Sequence, residues 1–225
     1  MLNRLAGDDL LRPRRLSSRS SAARVALLQP TASLLRGDEV TIQVNVGPGA
    51  RLELLDVAGI VAHPTRGGPP ARLRTVIELG PGAWLEWDAK PLVLCEGCDL
   101  RRAITIDMDD GATVLLRDTL VFGRAAEQPG VFKTRTVATY AGAPLHQEAL
   151  DTSETDALRS EAVIGPARVL DTVAIYGARR PGHGVLQLAG PGSMLMVAAP
   201  NAADAHKAVD PSFRDWRLRP GPSNR

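Results

Sequence analysis

Asp118 is the residue whose type and setting say most about chemistry in this 225-residue chain. It lies in the run Val114-Leu115-Leu116-Arg117-Asp118-Thr119-Leu120-Val121-Phe122, where alternation puts Val114, Leu116, Asp118, Leu120 and Phe122 on one face of a strand. A carboxylate that interrupts an apolar stripe must meet a cation, hydrogen-bond donors, water or a cavity, because burying it unpaired is costly. Arg117, Arg124 or an arginine of the next unit could supply the cation; the other reading is that Asp118 lines a polar internal path. Glu86 lies between Trp84 and Trp87, on the Trp84 face, and reads as a structural acid on a half-buried strand. Cys95-Glu96-Gly97-Cys98 is a lone C-x-x-C, half of a tetrahedral metal site with no second half. It reads first as a strand end and turn, with transient metal binding and a redox disulfide as the alternatives. His63, His146, His183 and His206 are scattered, with no pair at ligand spacing.

Most enzyme classes find no support. The chain has no G-x-S-x-G elbow, no phosphate-binding G-x-x-x-x-G-K-[ST], no H-E-x-x-H, and no G-x-G-x-x-G between a strand and a helix. Paired carboxylates on a β scaffold leave a carboxylate-dependent hydrolase as a distant reading, and an aromatic content of 4% disfavours the stacking cleft of a glycosidase.

The elements that must position these residues repeat. Val40–Val46, Gly47-Pro48-Gly49-Ala50 and Arg51–Val57 form a first strand–turn–strand unit. Arg74–Leu79, Gly80-Pro81-Gly82-Ala83 and Trp84–Asp88 form a second. Ala103–Met108, Asp109-Asp110-Gly111-Ala112 and Thr113–Phe122 form a third, and Thr134–Tyr140, Ala141-Gly142-Ala143 and Pro144–Leu150 a fourth. The turn glycines Gly49, Gly82, Gly111 and Gly142 are 33, 29 and 31 residues apart, and a weaker fifth copy spans Val185–Ala198. Each unit reads as a β-hairpin, and because a lone hairpin is marginal in water the copies must stack and bury one another's apolar faces. The expected fold is all-β, a β-helical or superhelical stack of hairpins with one or two short helices near the C-terminus.

The expected organisation is one domain: a basic arm over residues 1–23, the stack over 24–200, and a short helical segment with a frayed tail over 201–225. Residues 1–36 carry seven arginines against Asp8 and Asp9, yet the whole chain is balanced at a net charge of +2, which gives no electrostatic case for nucleic acid. The small polar run 17–23 precedes a first core strand at Val25–Leu28, and the Gly/Pro-rich 63–71 reads as an exposed connector. Ala202–Val209 has helix-forming composition, and Pro211–Arg219 reads as a second short helix. No apolar run approaches the roughly 18 to 20 residues of a membrane span, no signal peptide is evident, and two cysteines make no disulfide framework, so a cytoplasmic protein is expected.

Four segments, in order, carry a family resemblance. They are Leu35-Arg36-Gly37-Asp38 with its following strand and turn; Gly82-Ala83-Trp84-Leu85-Glu86-Trp87; the strand Val114–Phe122 with its internal Asp118, ending in Gly123-Arg124; and Gly142-Ala143-Pro144-Leu145-His146-Gln147-Glu148. They resemble the UreD/UreH family of urease accessory proteins, with a departure at the first turn, where the family pattern has Gly-Gly-Asp. The resemblance implies a β-helical, non-catalytic urease maturation scaffold. It would bind apo-urease, a second urease accessory protein and a nickel-carrying GTPase, with no nucleic acid or membrane partner. It also implies no tightly bound cofactor, only nickel in transit. Asp38, Asp118 and Glu148 fall on family positions associated with an internal metal path, with Glu86, Cys95 and Cys98 as weaker candidates. Oxygen ligands suit transit, because they hold divalent ions less tightly than thiolate or imidazole and let an ion leave as readily as it enters. A generic β-repeat binding module unrelated to urease is the competing reading.

Overall fold

The computed structural model describes residues 2, 4–7, 11–17, 22–29, 33–161 and 163–218. The chain enters through β1 (Arg12–Leu16), inside the expected N-terminal arm, and then winds in coils. The first coil holds β2 (Ala23–Leu28), β3 (Ser33–Leu34) and β4 (Glu39–Val46). The second holds β5 (Arg51–Asp56), β6 (Ile60–Ala62) and β7 (Ala71–Leu79), and the third β8 (Trp84–Asp88), β9 (Leu92–Leu94) and β10 (Asp99–Met108). A fourth begins with β11 (Thr113–Phe122) and β12 (Val131–Tyr140) and turns back into β13 (Ala143–Asp151). After a single turn, α1 (Thr155–Leu158), come β14 (Val169–Tyr176), β15 (Leu186–Gln187), β16 (Gly192–Ala199) and the long α2 (Ala202–Leu218).

Corresponding strands of successive coils pair in parallel: β2–β5–β8–β11 in one sheet and β4–β7–β10–β12 in the other. The short β3–β6–β9 strands form the corner ladder between them, and β11 runs straight on past β8 to pair with β9 as well. The result is the expected all-β, solenoid-like stack. Rungs such as Val44–Ile77–Ile106–Ala138 point inward from one sheet and are fully or almost fully buried. Leu52–Leu85–Val114 meet them from the other.

Pairing inside the first three units differs from the hairpins expected. β4 and β5 flank the first Gly-Pro-Gly turn yet lie in different sheets, as do β7 and β8, and β10 and β11. The turn chemistry explains this. Ala50 N donates to Gly47 O at 3.0 Å and Ala83 N to Gly80 O at 3.0 Å, with proline second in each turn and a left-handed glycine third (Gly49 φ 63°, Gly82 φ 65°). That is the signature of a type II turn, which splays its flanking strands where a type I′ or II′ turn would let them pair. Each strand therefore bonds to its equivalent one coil away. The fourth unit is a true hairpin, because Ala141 and Gly142 both have positive φ (49° and 75°), as a two-residue hairpin requires. The fifth is a hairpin also, β15 against β16.

From the fourth coil onward the added strands are antiparallel: β13 on β12, β14 on β11, β16 on β14. The outer face of the β11 sheet is then roofed by α2, whose Val209, Phe213 and Trp216 pack on Trp84, Leu115 and Ile175. The sequence suggests a break at Pro211, but α2 is one continuous helix with that proline inside. An interior proline costs about 3 kcal/mol, which the burial of Val209, Phe213 and Trp216 on both sides of it offsets. Asn201 caps the helix, accepting from Asp204 N at 2.9 Å while its amide donates to the Asp204 carboxylate at 2.8 Å. Arg219, the tail 220–225 and the run 18–21 lie outside the described residues.

Candidate functional site

Because β11 alternates, Asp118 points between the two sheets while its neighbour Arg117 points outward beneath α2. The cation that meets Asp118 is Arg102 of β10, across the interior, in place of the expected Arg117, Arg124 or an arginine of the next unit. Its two terminal nitrogens reach the Asp118 oxygens at 2.8 and 2.7 Å. Its Nε donates to Thr134 Oγ1 at 3.0 Å, and its guanidinium lies 5.2 Å from the Phe132 ring centre. Three holds thus fix one cation at the centre of an apolar core. Arg117 instead binds Asp171 and Asp210, and Arg124 binds Glu127.

Two cavities abut at this pair. One, of about 40 Å³, is walled on its polar side by Thr134, Thr136, Glu148, Thr172 and Tyr176. The other, of about 60 Å³, includes Gln29, Asp56, Thr75 and Lys90. Arg102, Ile104, Leu116 and Asp118 line both. Among the described residues Gln29 Oε1 is buried without a hydrogen-bond partner, so the second cavity holds an unsatisfied acceptor.

Inward acids flank the pair on either side. Burial raises the Glu148 carboxyl above its ordinary pKa, and the nearby Asp118 charge adds to the shift. His146 Nε2 lies 3.7 Å from Glu148, its Nδ1 lies 3.0 Å from the Tyr176 hydroxyl, and burial lowers its pKa, favouring neutral imidazole. In the other cavity burial raises Asp56 to about 6, against the opposing hydrogen bonds from Lys90 N (3.0 Å) and Trp87 Nε1 (3.1 Å). Carboxylate oxygens thus line both cavities. Among the described residues no three His, Cys, Asp or Glu side chains converge to hold a metal ion.

The structure brings Asp118 and Glu148 to one cavity and leaves Asp38 apart from them. Asp38 closes the 35–38 turn, accepting from Leu35 N at 2.8 Å, and lines neither cavity. Glu86 faces outward and takes Arg217 of α2 at 2.9 Å, so it ties the roof helix to the sheet. Cys95 and Cys98 form the strand end and turn after β9, with Cys98 N bonded to Cys95 O at 3.1 Å. Both are buried; burial raises the Cys95 thiol and pushes Cys98 up to about 12, which keeps them protonated. Gly130 packs against this turn so closely that a Cβ there would sit 2.5 Å from Cys98 Sγ. Arg102, Asp56 and His146 are the site residues that sequence reasoning passed over. Arg102 and Asp56 carry the signal that marked Asp118, a charge at an inward position of an alternating strand: Leu100-Arg102-Ile104 and Leu52-Leu54-Asp56.

The fold and site together define a parallel β-solenoid-like stack with two adjoining carboxylate-bearing cavities between its sheets and a helical roof on one face. The UreD urease accessory protein family model matches residues 9–210. A urease accessory protein UreD 1 of Streptomyces griseus is 38% identical over 216 residues, covering 95% of this chain and 84% of that protein. A UreD 1 of Saccharopolyspora erythraea is 30% identical, covering 88% and 81%, and its UreD 2 is 29% identical, covering 93% and 80%. The chain belongs to the UreD family of urease accessory proteins.

Proposed function

We propose that this chain is a non-catalytic cytoplasmic scaffold of urease maturation. It binds apo-urease, a second accessory protein and a nickel-carrying GTPase, and it passes nickel through its core. The observation that carries the reading is the meeting of two internal cavities at Asp118, with Glu148 beyond it and Asp56 before it. Carboxylate and hydroxyl oxygens bind a divalent ion weakly, so an ion can step from one to the next without being trapped. Packed Ile and Leu on both sheets form the walls around these carboxylates. Nickel is cargo here, and the chain makes and breaks no covalent bond.

The test is co-expression of cognate apo-urease and the other accessory proteins with and without this chain, followed by pull-down, nickel content and urease activity. A co-purifying complex and chain-dependent nickel loading support the scaffold. Loading that proceeds equally well without the chain, with nothing co-purifying, leaves a generic β-repeat binding module as the better reading.

A further inference from the structure

We infer that Arg102 is a plug: in the free chain its guanidinium closes the passage between the two internal cavities by occupying both oxygens of Asp118 (2.8 and 2.7 Å), and transfer requires it to withdraw. The inference rests on the cation-path reading above and specifies its regulation. Arg102 sits where the cavities meet and lines both, so its side chain stands at their junction. It acts on a cation in two ways. It repels positive charge in a low-dielectric interior, and it holds one lone pair on each Asp118 oxygen, on the side where Asp118 would otherwise coordinate an ion.

The same geometry shows what withdrawal needs. The Nε bond to Thr134 and the Phe132 face hold the side chain from the β12 side, while the grip on Asp118 comes from β11. The site lacks the complete closure of a purely structural ion pair: Asp118 keeps 27% of its side-chain surface accessible, with space on both sides. Glu148, in the first cavity, is a second carboxylate within the field of Arg102. A guanidinium that moves toward Glu148 exchanges one acid for another and frees Asp118. The plug would keep an unpartnered scaffold from filling with whatever divalent ion is abundant.

Equilibrium dialysis of the untagged full chain against radioactive Ni²⁺ tests this without urease. Wild type should take up no interior nickel. Arg102→Met, which removes the charge and keeps the bulk, should gain about one Ni²⁺ per chain, and Arg102→Met/Asp118→Asn should lose it again. Arg102→Lys, which restores a cation, should return to the wild-type level. Circular dichroism and thermal unfolding establish that each variant is folded. If Arg102→Met does not fold, Thr134→Val keeps both charges, removes only the hold on Nε, and should bind nickel above wild type. A folded Arg102→Met or Thr134→Val chain that binds no more nickel than wild type overturns the plug, as does wild-type uptake abolished by Asp118→Asn. The cargo reading fails by a different result, undiminished urease maturation by Asp118→Asn and Glu148→Gln chains.

Discussion

Neighbouring residues of β11 build two arginine–carboxylate clusters with opposite properties. Facing outward, Arg117 gives Asp171 two bonds (3.2 and 2.7 Å) and Asp210 of α2 a third (2.7 Å), while Thr119 donates to Asp171 at 2.9 Å. His206 Nδ1 completes the set 3.1 Å from Asp171, and both Arg117 (4%) and Asp171 (0%) are sealed from solvent. Facing inward, Arg102 and Asp118 make an equally good bidentate pair but stand between two cavities. The first cluster commits a buried arginine and a buried aspartate to locking a helix to a sheet. The second leaves room for exchange. Closure of the acid separates the two clusters, with Asp171 fully sealed and Asp118 27% accessible, and bond length does not.

If that distinction holds, the outward cluster should break the fold and the inward one should not. Arg117→Met leaves Asp171 buried without its cation and should cost about 3–5 kcal/mol, read as a loss of soluble protein or a thermal midpoint lower by about 10 °C. A midpoint within a degree or two of wild type would erase the contrast. Trp216→Ala removes the largest fully buried side chain of the roof and should cost about 3 kcal/mol or more by denaturant titration. Its effect on urease activation should scale with the unfolded fraction alone.

The inward cluster should show the reverse balance. Asp118→Asn keeps the shape and one acceptor for Arg102 but leaves that cation uncompensated, so its stability cost should be about 2–3 kcal/mol, still below that of Arg117→Met because the Asp118 side is partly open. Nickel loading of urease should fall at least about tenfold, the scale seen when a supporting group at a metal site is removed. A variant that activates urease normally, or one that unfolds as readily as Arg117→Met, would place Asp118 with the structural charges.

How much of this was legible in the sequence follows from the range of each interaction. Strand positions and inward faces came from local alternation, which is why Asp118 stood out and why Arg102 and Asp56 could have been found by the same rule. The type II signature of Gly47-Pro48-Gly49 and Gly80-Pro81-Gly82 was equally local; with the turn type taken into account it predicts arches between sheets in place of hairpins. Pairings across coils were out of reach. Arg102 meets Asp118 because β10 and β11 face each other across the core, and no spacing along the chain encodes which arginine of which coil arrives there. The continuity of α2 through Pro211 was hidden for a related reason, since tertiary burial outweighs the local penalty.

The smallest effect concerns Asp56, which shares the inward setting of Asp118 and lines the second cavity with it but is held by Trp87 and Lys90 in place of an arginine. Burial raises it from the ordinary 3.8 to about 6, so the folded chain binds its proton more tightly than the unfolded chain does. Stability from this group is therefore full below about pH 4 and declines as pH rises to about 6, opposite in sign to a salt-bridged acid. Carboxyl-carbon NMR titration should put the Asp56 midpoint near 6, and urea unfolding should lose the corresponding slope in Asp56→Asn. An Asp56 midpoint near 4 would mean that water already fills this cavity, leaving the bond to Arg102 as the difference between Asp118 and Asp56.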